Sequence, residues 1–236
     1  MKAIVLAAGR GTRLGNKTEQ LPKALLDISG RPLLEYTLDF LAGAEWEEII
    51  IVGGFEFETF AQYLKKRPDI TLLQNKDFHS GNIVTLKTAR QHLNDGFLLM
   101  NADHIYPKTF LSQLLQHRSG VVAACDFDRD LVADDMKVWE EPKGQIKSIH
   151  KKLAAFNGGY IGMTLVNQDS LANYLQAFDL VCTQRPEASV EEVLQQLADQ
   201  GTPPRIADLS GSRWYEIDTP QDLKVAEDAH DSLQGS

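Results

Sequence analysis

Ala3-Ile4-Val5-Leu6-Ala7-Ala8-Gly9-Arg10-Gly11-Thr12-Arg13-Leu14-Gly15 is the stretch on which the reading of this chain turns. Ala3 to Leu6 has the continuous apolar character of a strand buried on both faces, and it ends at Gly9. The glycine-rich loop that follows stands at the carboxyl end of a strand, where open α/β sheets bind ligands. Glycines let backbone N–H groups approach phosphate oxygens, and Arg13 adds a bidentate donor. Three ligand-binding readings compete with that of an ordinary surface loop. As a dinucleotide fingerprint, Gly9 and Gly11 fit, but Leu14 takes the place of the third glycine and Asn16 to Pro22 is polar and broken by proline. As a P-loop, Gly11, Lys17 and Thr18 fit, but Asn16 replaces the glycine before the lysine. That motif also needs a helix starting at Lys17-Thr18, and Pro22 falls a turn later. The third reading draws on more of the chain.

Outward from this loop, short apolar runs alternate with amphipathic segments, the pattern of a largely parallel sheet with crossover helices. Helical spacing is expected over Leu33 to Ala42, at Phe57, Phe60, Ala61 and Leu64, and at Ile83, Leu86, Ala89 and Leu93, with Asn82 as cap. A further helix is expected over Thr109 to Gln116, and another at Val190, Val193, Leu194 and Leu197. Strands are expected at Glu48 to Val52, Ile70 to Leu73, Phe97 to Met100, Val121 to Ala124, Tyr160 to Val166 and Arg213 to Ile217. Lys137 to Glu140 and Gln145 to Ile149 flank a Pro-Lys-Gly turn as a hairpin. Thr219-Pro220-Gln221-Asp222 combines an N-cap, a first-turn proline and an acid at the third position, a helix start. No linker-like stretch divides the chain. The expected organisation is one α/β domain over residues 1–230, a mostly parallel sheet flanked by helices with a small antiparallel insertion, and a tail over 231–236.

The 236 residues are 43% hydrophobic and 24% charged, which excludes collagenous, disulfide-scaffold and disordered classes. A net charge of −9 lacks the footprint of a nucleic-acid or anionic-membrane binder. No apolar run approaches the ~20 residues that span a bilayer, and the apolar start is too short for a signal peptide. Cys125 and Cys182 stand alone, without metal-ligand spacing. The expected setting is a reducing cytoplasm, with no membrane insertion. An exposed helix face and a dimer face look alike in one sequence, so a homodimer is left open.

Leu6-Ala7-Ala8-Gly9-x-Gly11-Thr12-Arg13-Leu14 followed by Pro22-Lys23, an apolar segment Leu25 to Ile28, and Gly30-Arg31-Pro32 resembles the signature of the sugar-nucleotidyltransferase-like family. The resemblance implies a Rossmann-like nucleotide-diphospho-sugar transferase fold. It also implies a loop from Leu6 to Arg13 that wraps a nucleoside triphosphate and a Lys23 that reaches its phosphates. Within the family, Gly81-Asn82-Ile83-Val84-Thr85-Leu86 and Asp103-His104-Ile105-Tyr106 look like the inositol-1-phosphate and phosphocholine cytidylyltransferase branch. Lys137-Val138, Gly144-Gln145-Ile146, Lys151-Lys152-Leu153 and Ile217-Asp218-Thr219-Pro220 extend that likeness to about residue 228. Asn101-Ala102-Asp103 departs from the Gly-Asp pair of hexose-phosphate enzymes, and Asn157 to Gly162 matches the acceptor segment only loosely. The expected activity is transfer alone, without the hexapeptide-repeat β-helix of bifunctional relatives.

Such transfer brings two anions together, so it needs a divalent metal and cationic side chains more than a base. Magnesium takes one or two carboxylates plus substrate oxygens and water. Asp103 follows the strand Phe97 to Met100 and Asp218 follows Trp214 to Ile217. Either could instead be a helix cap; the resemblance implies that together they hold Mg²⁺. The catalytic candidates are thus Arg13, Lys23, Asp103 and Asp218. The candidates for nucleotide are Leu6, Ala7, Ala8, Gly9, Gly11, Thr12, Arg13, Lys23, Asn75, Gly81, Asn82 and Asp103. His104, Lys137, Lys152 and Asn157 are the candidates for the acceptor, with Tyr106, Trp139, Tyr160 and Trp214 available for an aromatic cage around a choline. The expected reaction joins a nucleoside triphosphate, CTP foremost, to phosphorylated inositol, choline or a similar small molecule, with release of pyrophosphate. The alternatives are a hexose-1-phosphate uridylyl-, thymidylyl- or guanylyltransferase, a P-loop hydrolase using Lys17 and Thr18, and a non-catalytic nucleotide-binding module.

Overall fold

The apolar runs of the sequence become the centre of a sheet. A computed structural model describes residues 1–229, so residue 230 and the tail expected over 231–236 lie outside the described residues. The strands are β1 (Lys2–Ala7), β2 (Asp27–Ile28), β3 (Arg31–Pro32), β4 (Ile49–Gly53), β5 (Ile70–Gln74), β6 (Phe97–Asn101) and β7 (His104–Ile105). They continue as β8 (Val121–Asp126), β9 (Lys137–Glu141), β10 (Gln145–His150), β11 (Gly158–Val166), β12 (Arg205–Asp208) and β13 (Tyr215–Glu216). The helices are α1 (Leu33–Leu41), α2 (Phe57–Leu64), α3 (Asn82–Thr88), α4 (Lys108–Leu114), α5 (Leu171–Gln184), α6 (Glu191–Asp199) and α7 (Pro220–Asp228).

Nine strands form one sheet in the order β5-β4-β1-β6-β11-β8-β12-β10-β9. β1, β4, β5 and β6 run parallel, while β11 enters antiparallel between β6 and β8. The expected hairpin is β9 and β10, and it closes the far edge of this same sheet rather than standing apart from it. β1 sits at the switch point, with β4 on one side and β6 on the other. Open α/β sheets leave a crevice at the carboxyl ends of such strands, so the glycine-rich loop after β1 and Asp103 after β6 are brought side by side.

Alternate residues of the central strands feed two separate cores. Ile4, Ile50, Phe97 and Leu99 pack on one face with α3, α5 and α6 residues such as Leu86, Phe178 and Leu194. Val5, Ile51, Leu98 and Met100 pack on the other with Leu38, Phe60 and Phe110. A third cluster joins Leu14 of the glycine-rich loop to Ile28, Ile105, Ile217 and Leu223. This last cluster anchors the loop to α7 and so positions the site. Among the described residues no helix is long and apolar enough to cross a membrane.

Two expectations are corrected here. Arg213 to Ile217 does not add to the main sheet: only Tyr215 and Glu216 are extended, paired antiparallel with His104 and Ile105 in a two-stranded ribbon. Asn82 does not cap its own helix but opens it after Gly81, and its Oδ1 accepts the Val190 N–H at 2.8 Å, just ahead of α6. The helix start at Thr219 is as expected. Its hydroxyl accepts from the Asp222 N–H, and Asp222 reciprocates on the Thr219 N–H at 2.7 Å, a capping box that stabilises by about 1 kcal/mol.

Candidate functional site

The ribbon of β7 and β13 lays two acids across from each other. Asp103 precedes β7 and Asp218 follows β13, and the Ile217 N–H donates to the Asp103 carbonyl at 2.9 Å. Lys23 lies between them. Its Nζ donates to Asp103 Oδ2 at 2.7 Å and to Asp218 Oδ1 at 2.5 Å. Gly11 makes this approach feasible: its φ is +68°, and a Cβ there would stand 3.0 Å from Lys23 Cβ. Arg13 donates to Asp218 Oδ2 at 2.6 Å and also to Asp134, which accepts from Lys151 at 2.8 Å. The four residues expected to carry chemistry therefore form one charge cluster.

Electrostatics favour the charged forms of Lys23 and Asp103. Burial works against the Lys23 ammonium, but Asp103 and Asp218 outweigh it and hold its pKa above the usual lysine value. Desolvation opposes the Asp103 carboxylate, yet Lys23 and His104 hold it well below the usual range. Burial likewise opposes the His104 cation, and Asp103 and then Glu216 raise its pKa. Glu216 itself is pushed up to about 7 by desolvation, against the pull of His104 and with the repulsion of Asp103 and Asp218.

Two openings meet at Asp103. A small cleft of about 40 Å³ under the glycine-rich loop is lined by Leu6, Ala7, Gly9, Lys23 and Asp103 among others. A larger cavity of about 480 Å³ lies on the other side, lined by Arg13, Asp103, Lys152, Tyr160, Trp214 and Asp218 among others. Thr12 is exposed at the start of a 3-10 turn and Ala8 is buried behind the loop. The segment from Thr12 to Thr18 is that turn, kinked at Gly15, and the Thr18 hydroxyl donates to the Gly11 carbonyl at 2.8 Å. No helix begins at Lys17-Thr18, so the P-loop geometry is absent.

Other candidates turn out to hold the fold. Asn75 is 2% exposed; its Nδ2 donates to Thr85 Oγ1 at 3.0 Å and its Oδ1 accepts from the Asp77 N–H at 2.9 Å. A Cβ on Gly81 would stand 2.2 Å from the Ala188 carbonyl oxygen. Gly81→Ala is therefore expected to destabilise by about 1–3 kcal/mol through overpacking, read as a lowered Tm; an unchanged Tm would show that the contact relaxes. Lys137 does not reach the cavity. Its buried Nζ donates to the carbonyls of Val132 (2.7 Å), Ala133, Asp135 and Lys151 (3.0 Å), tying the 132–135 loop to β10's exit. Asn157 is bound to the Glu140 backbone at 2.8 Å, away from the cavity. Lys152 lines the cavity, exposed and without an ion pair among the described residues. The four aromatics do not all converge: Tyr160 and Trp214 line the cavity, Tyr106 packs beside Trp214 with ring centroids 6.3 Å apart, and Trp139 is 38% exposed on β9.

Glu216 and Asp134 were not among the expected site residues. Glu216 had a signal, since it alternates with Trp214 and Asp218 around the stretch expected to be a strand, and all three line the larger cavity. Asp134 sits in a loop with no pattern to announce it.

Residues 3–165 match the model of the MobA-like NTP transferase domain. The bifunctional IPC transferase and DIPP synthase of Rubrobacter xylanophilus is 30% identical over 230 residues, 96% of this chain and 51% of that protein. The choline-phosphate cytidylyltransferase of Haemophilus influenzae is 43% identical over 100 residues, 42% of each chain. The chain spans about half the length of the curated relatives it matches over most of its own length. The structure of the inositol-1-phosphate CTP transferase from T. maritima superposes with a TM-score of 0.82 at 23% identity, covering 96% of this chain and 93% of that one. That likeness speaks for a shared nucleotide-diphospho-sugar transferase fold.

Proposed function

The chain belongs to the MobA-like NTP transferase domain family, and on that premise we propose that it joins a nucleoside triphosphate, CTP foremost, to a phosphorylated small molecule and releases pyrophosphate. Residues 1–230 act as a single catalytic domain in this reading. The observation that carries it is the convergence of Asp103 and Asp218 on one point, at the junction of the cleft and the larger cavity. Two carboxylate oxygens within 2.7 Å of a single ammonium nitrogen make a seat for a cation, and their hard oxygen chemistry suits Mg²⁺. When bound there, the ion would neutralise charge developing on the triphosphate and the leaving pyrophosphate.

The side chains have complementary work. Leu6, Ala7 and Gly9 border the small cleft under the loop, on the side taken by the triphosphate, and glycine lets the loop's backbone N–H groups approach phosphate oxygens at low steric cost. Lys23 and Arg13 exchange their carboxylate partners for phosphate oxygens, so that the stabilising charge follows the reacting group. Asp103 stands between the nucleotide and the acceptor, where attack on the α-phosphorus must occur. The acceptor takes the larger cavity, with Lys152 as the cation for its phosphate. Inositol 1-phosphate and phosphocholine are the first acceptors to try, given the relatives' names and the segment from Asp103 to Tyr106.

A matrix of nucleoside triphosphates against phosphorylated choline, ethanolamine, inositol, hexoses and amino sugars, read by pyrophosphate release, tests this reading. Release that requires both reactants and Mg²⁺ is expected, strongest with CTP. Nucleotide binding without pyrophosphate across the whole panel would favour a non-catalytic module instead.

A further inference from the structure

The two oxygens of Asp103 have different partners. Oδ2 faces Lys23, while Oδ1 lies 2.6 Å from His104 Nδ1. His104 is 4% exposed and borders the larger cavity, and its ring is packed against several neighbours. The register of β7 with β13 sets Glu216 opposite it, with Oε1 3.9 Å from Nε2. Tyr106 and Trp214 stack nearly parallel to the imidazole, with centroids at 5.4 and 5.6 Å and planes within 17° and 16°. Gly162, at φ +80°, passes so close that a Cβ would stand 3.0 Å from His104 Cε1. Trp214 is itself held, its Nε1 donating to Asp126 Oδ2 at 2.7 Å and the Arg129 guanidinium lying over its ring at 4.3 Å from the centroid. The larger cavity that His104 lines is also the side expected to take the acceptor.

We propose that His104, backed by Glu216, is a positioning residue that fixes the Asp103 carboxylate so that Oδ2 turns toward Asp218 and the two acids present a preformed cation seat. The inference rests on the nucleotidyl-transfer reading above. An aspartate without such a partner rotates about χ2 in a broad well, and each alternative orientation removes one oxygen from the seat. Hydrogen-bonding partners of ligating carboxylates are worth about 10–100-fold in metal affinity. Tyr106 and Trp214, side by side with ring centroids 6.3 Å apart and both nearly parallel to the imidazole, supply the rigidity, and the ribbon ties them to both acids at once.

The test measures protein-bound Mn²⁺, by water-proton relaxation, in the full chain saturated with CTP. Four variants are compared, each checked for a folded circular dichroism spectrum and melt. His104→Leu is expected to weaken Mn²⁺ binding about 10–100-fold. His104→Asn, whose amide can stand where Nδ1 stood, is expected to recover most of that loss. Glu216→Gln is expected to show a smaller loss in the same direction. In turnover, the Mn²⁺ activation constant should move more than kcat at saturating metal. Wild-type Mn²⁺ affinity in His104→Leu, or no recovery in His104→Asn, would overturn the positioning role. If His104→Leu does not fold, Glu216→Gln decides, and unchanged affinity there overturns it. Asp103→Asn separates the two levels. If it loses Mn²⁺ while the His104 variants do not, only the positioning role falls; if it too binds as wild type, the metal seat itself is wrong.

Discussion

Lys23→Met is expected to lower kcat/KM for the nucleoside triphosphate by about 10²–10³-fold, the usual effect of removing one preorganised donor to developing charge. The side chain is 9% exposed and approaches both acids within 2.7 Å. Methionine keeps the stem that Gly11 accommodates but removes the cation between Asp103 and Asp218, leaving Arg13 on Asp218 alone. The variant should therefore also be less stable. The loss should fall below the ~3–5 kcal/mol typical of breaking a fully buried pair, because Asp103 and Asp218 are 28% and 20% exposed. The same geometry gives a sharper expectation. With the ammonium gone, Mg²⁺ added without nucleotide should raise the Tm of the variant more than that of the wild type, since a ligand stabilises the state it binds. A variant whose Tm ignores Mg²⁺ would show that the two carboxylates do not form a cation seat. An unchanged turnover rate would remove Lys23 from the reacting site.

Asp103→Asn is expected to lower kcat by about 10³-fold or more, through the loss of several kcal/mol of metal-borne charge stabilisation. The substitution preserves shape, and the amide oxygen can still accept from His104 Nδ1. Stability should accordingly change less than activity. Triphosphate binding through the loop and Arg13 should be retained, which separates a defect in chemistry from a defect in folding. Because Asp103 borders both openings, this variant should impair transfer to every acceptor alike, measured as pyrophosphate release across the acceptor panel. Near-normal turnover would remove Asp103 from the reaction.

The parts of this picture that were legible in the sequence are those with local causes. β1, β4 and β6 are buried on both faces and read as continuous apolar runs; the turn of the β9–β10 hairpin and the capping box at Thr219 announce themselves by residue type. Lys23, Arg13, Asp103 and Asp218 were singled out through a motif and their places after apolar strands, and the structure brings them into one cluster. What escaped depends on distant partners. β12 carries charged residues at both ends and a single buried Ala207, so its extended form comes from pairing with β8. The β13 strand is short because its partner β7 has only two residues to offer. α5 was not read, although Leu171, Tyr174, Phe178 and Val181 keep helical spacing. Lys137 resembled a phosphate-binding lysine, but the carbonyls that enclose it come from the 132–135 loop and Lys151. His104 was assigned to the acceptor by sequence position, whereas the opposing Glu216 and the stacked aromatics appear only once the ribbon is formed.

The most direct measurement is ³¹P NMR of the full chain with CTP, Mg²⁺ and a phosphorylated acceptor that supports turnover in the matrix. The expected spectrum gains inorganic pyrophosphate and the paired resonances of a new diphosphodiester in equal amounts, and neither forms when acceptor or metal is left out. Inorganic phosphate and CDP appearing without acceptor would make the protein a hydrolase and contradict the proposed transfer.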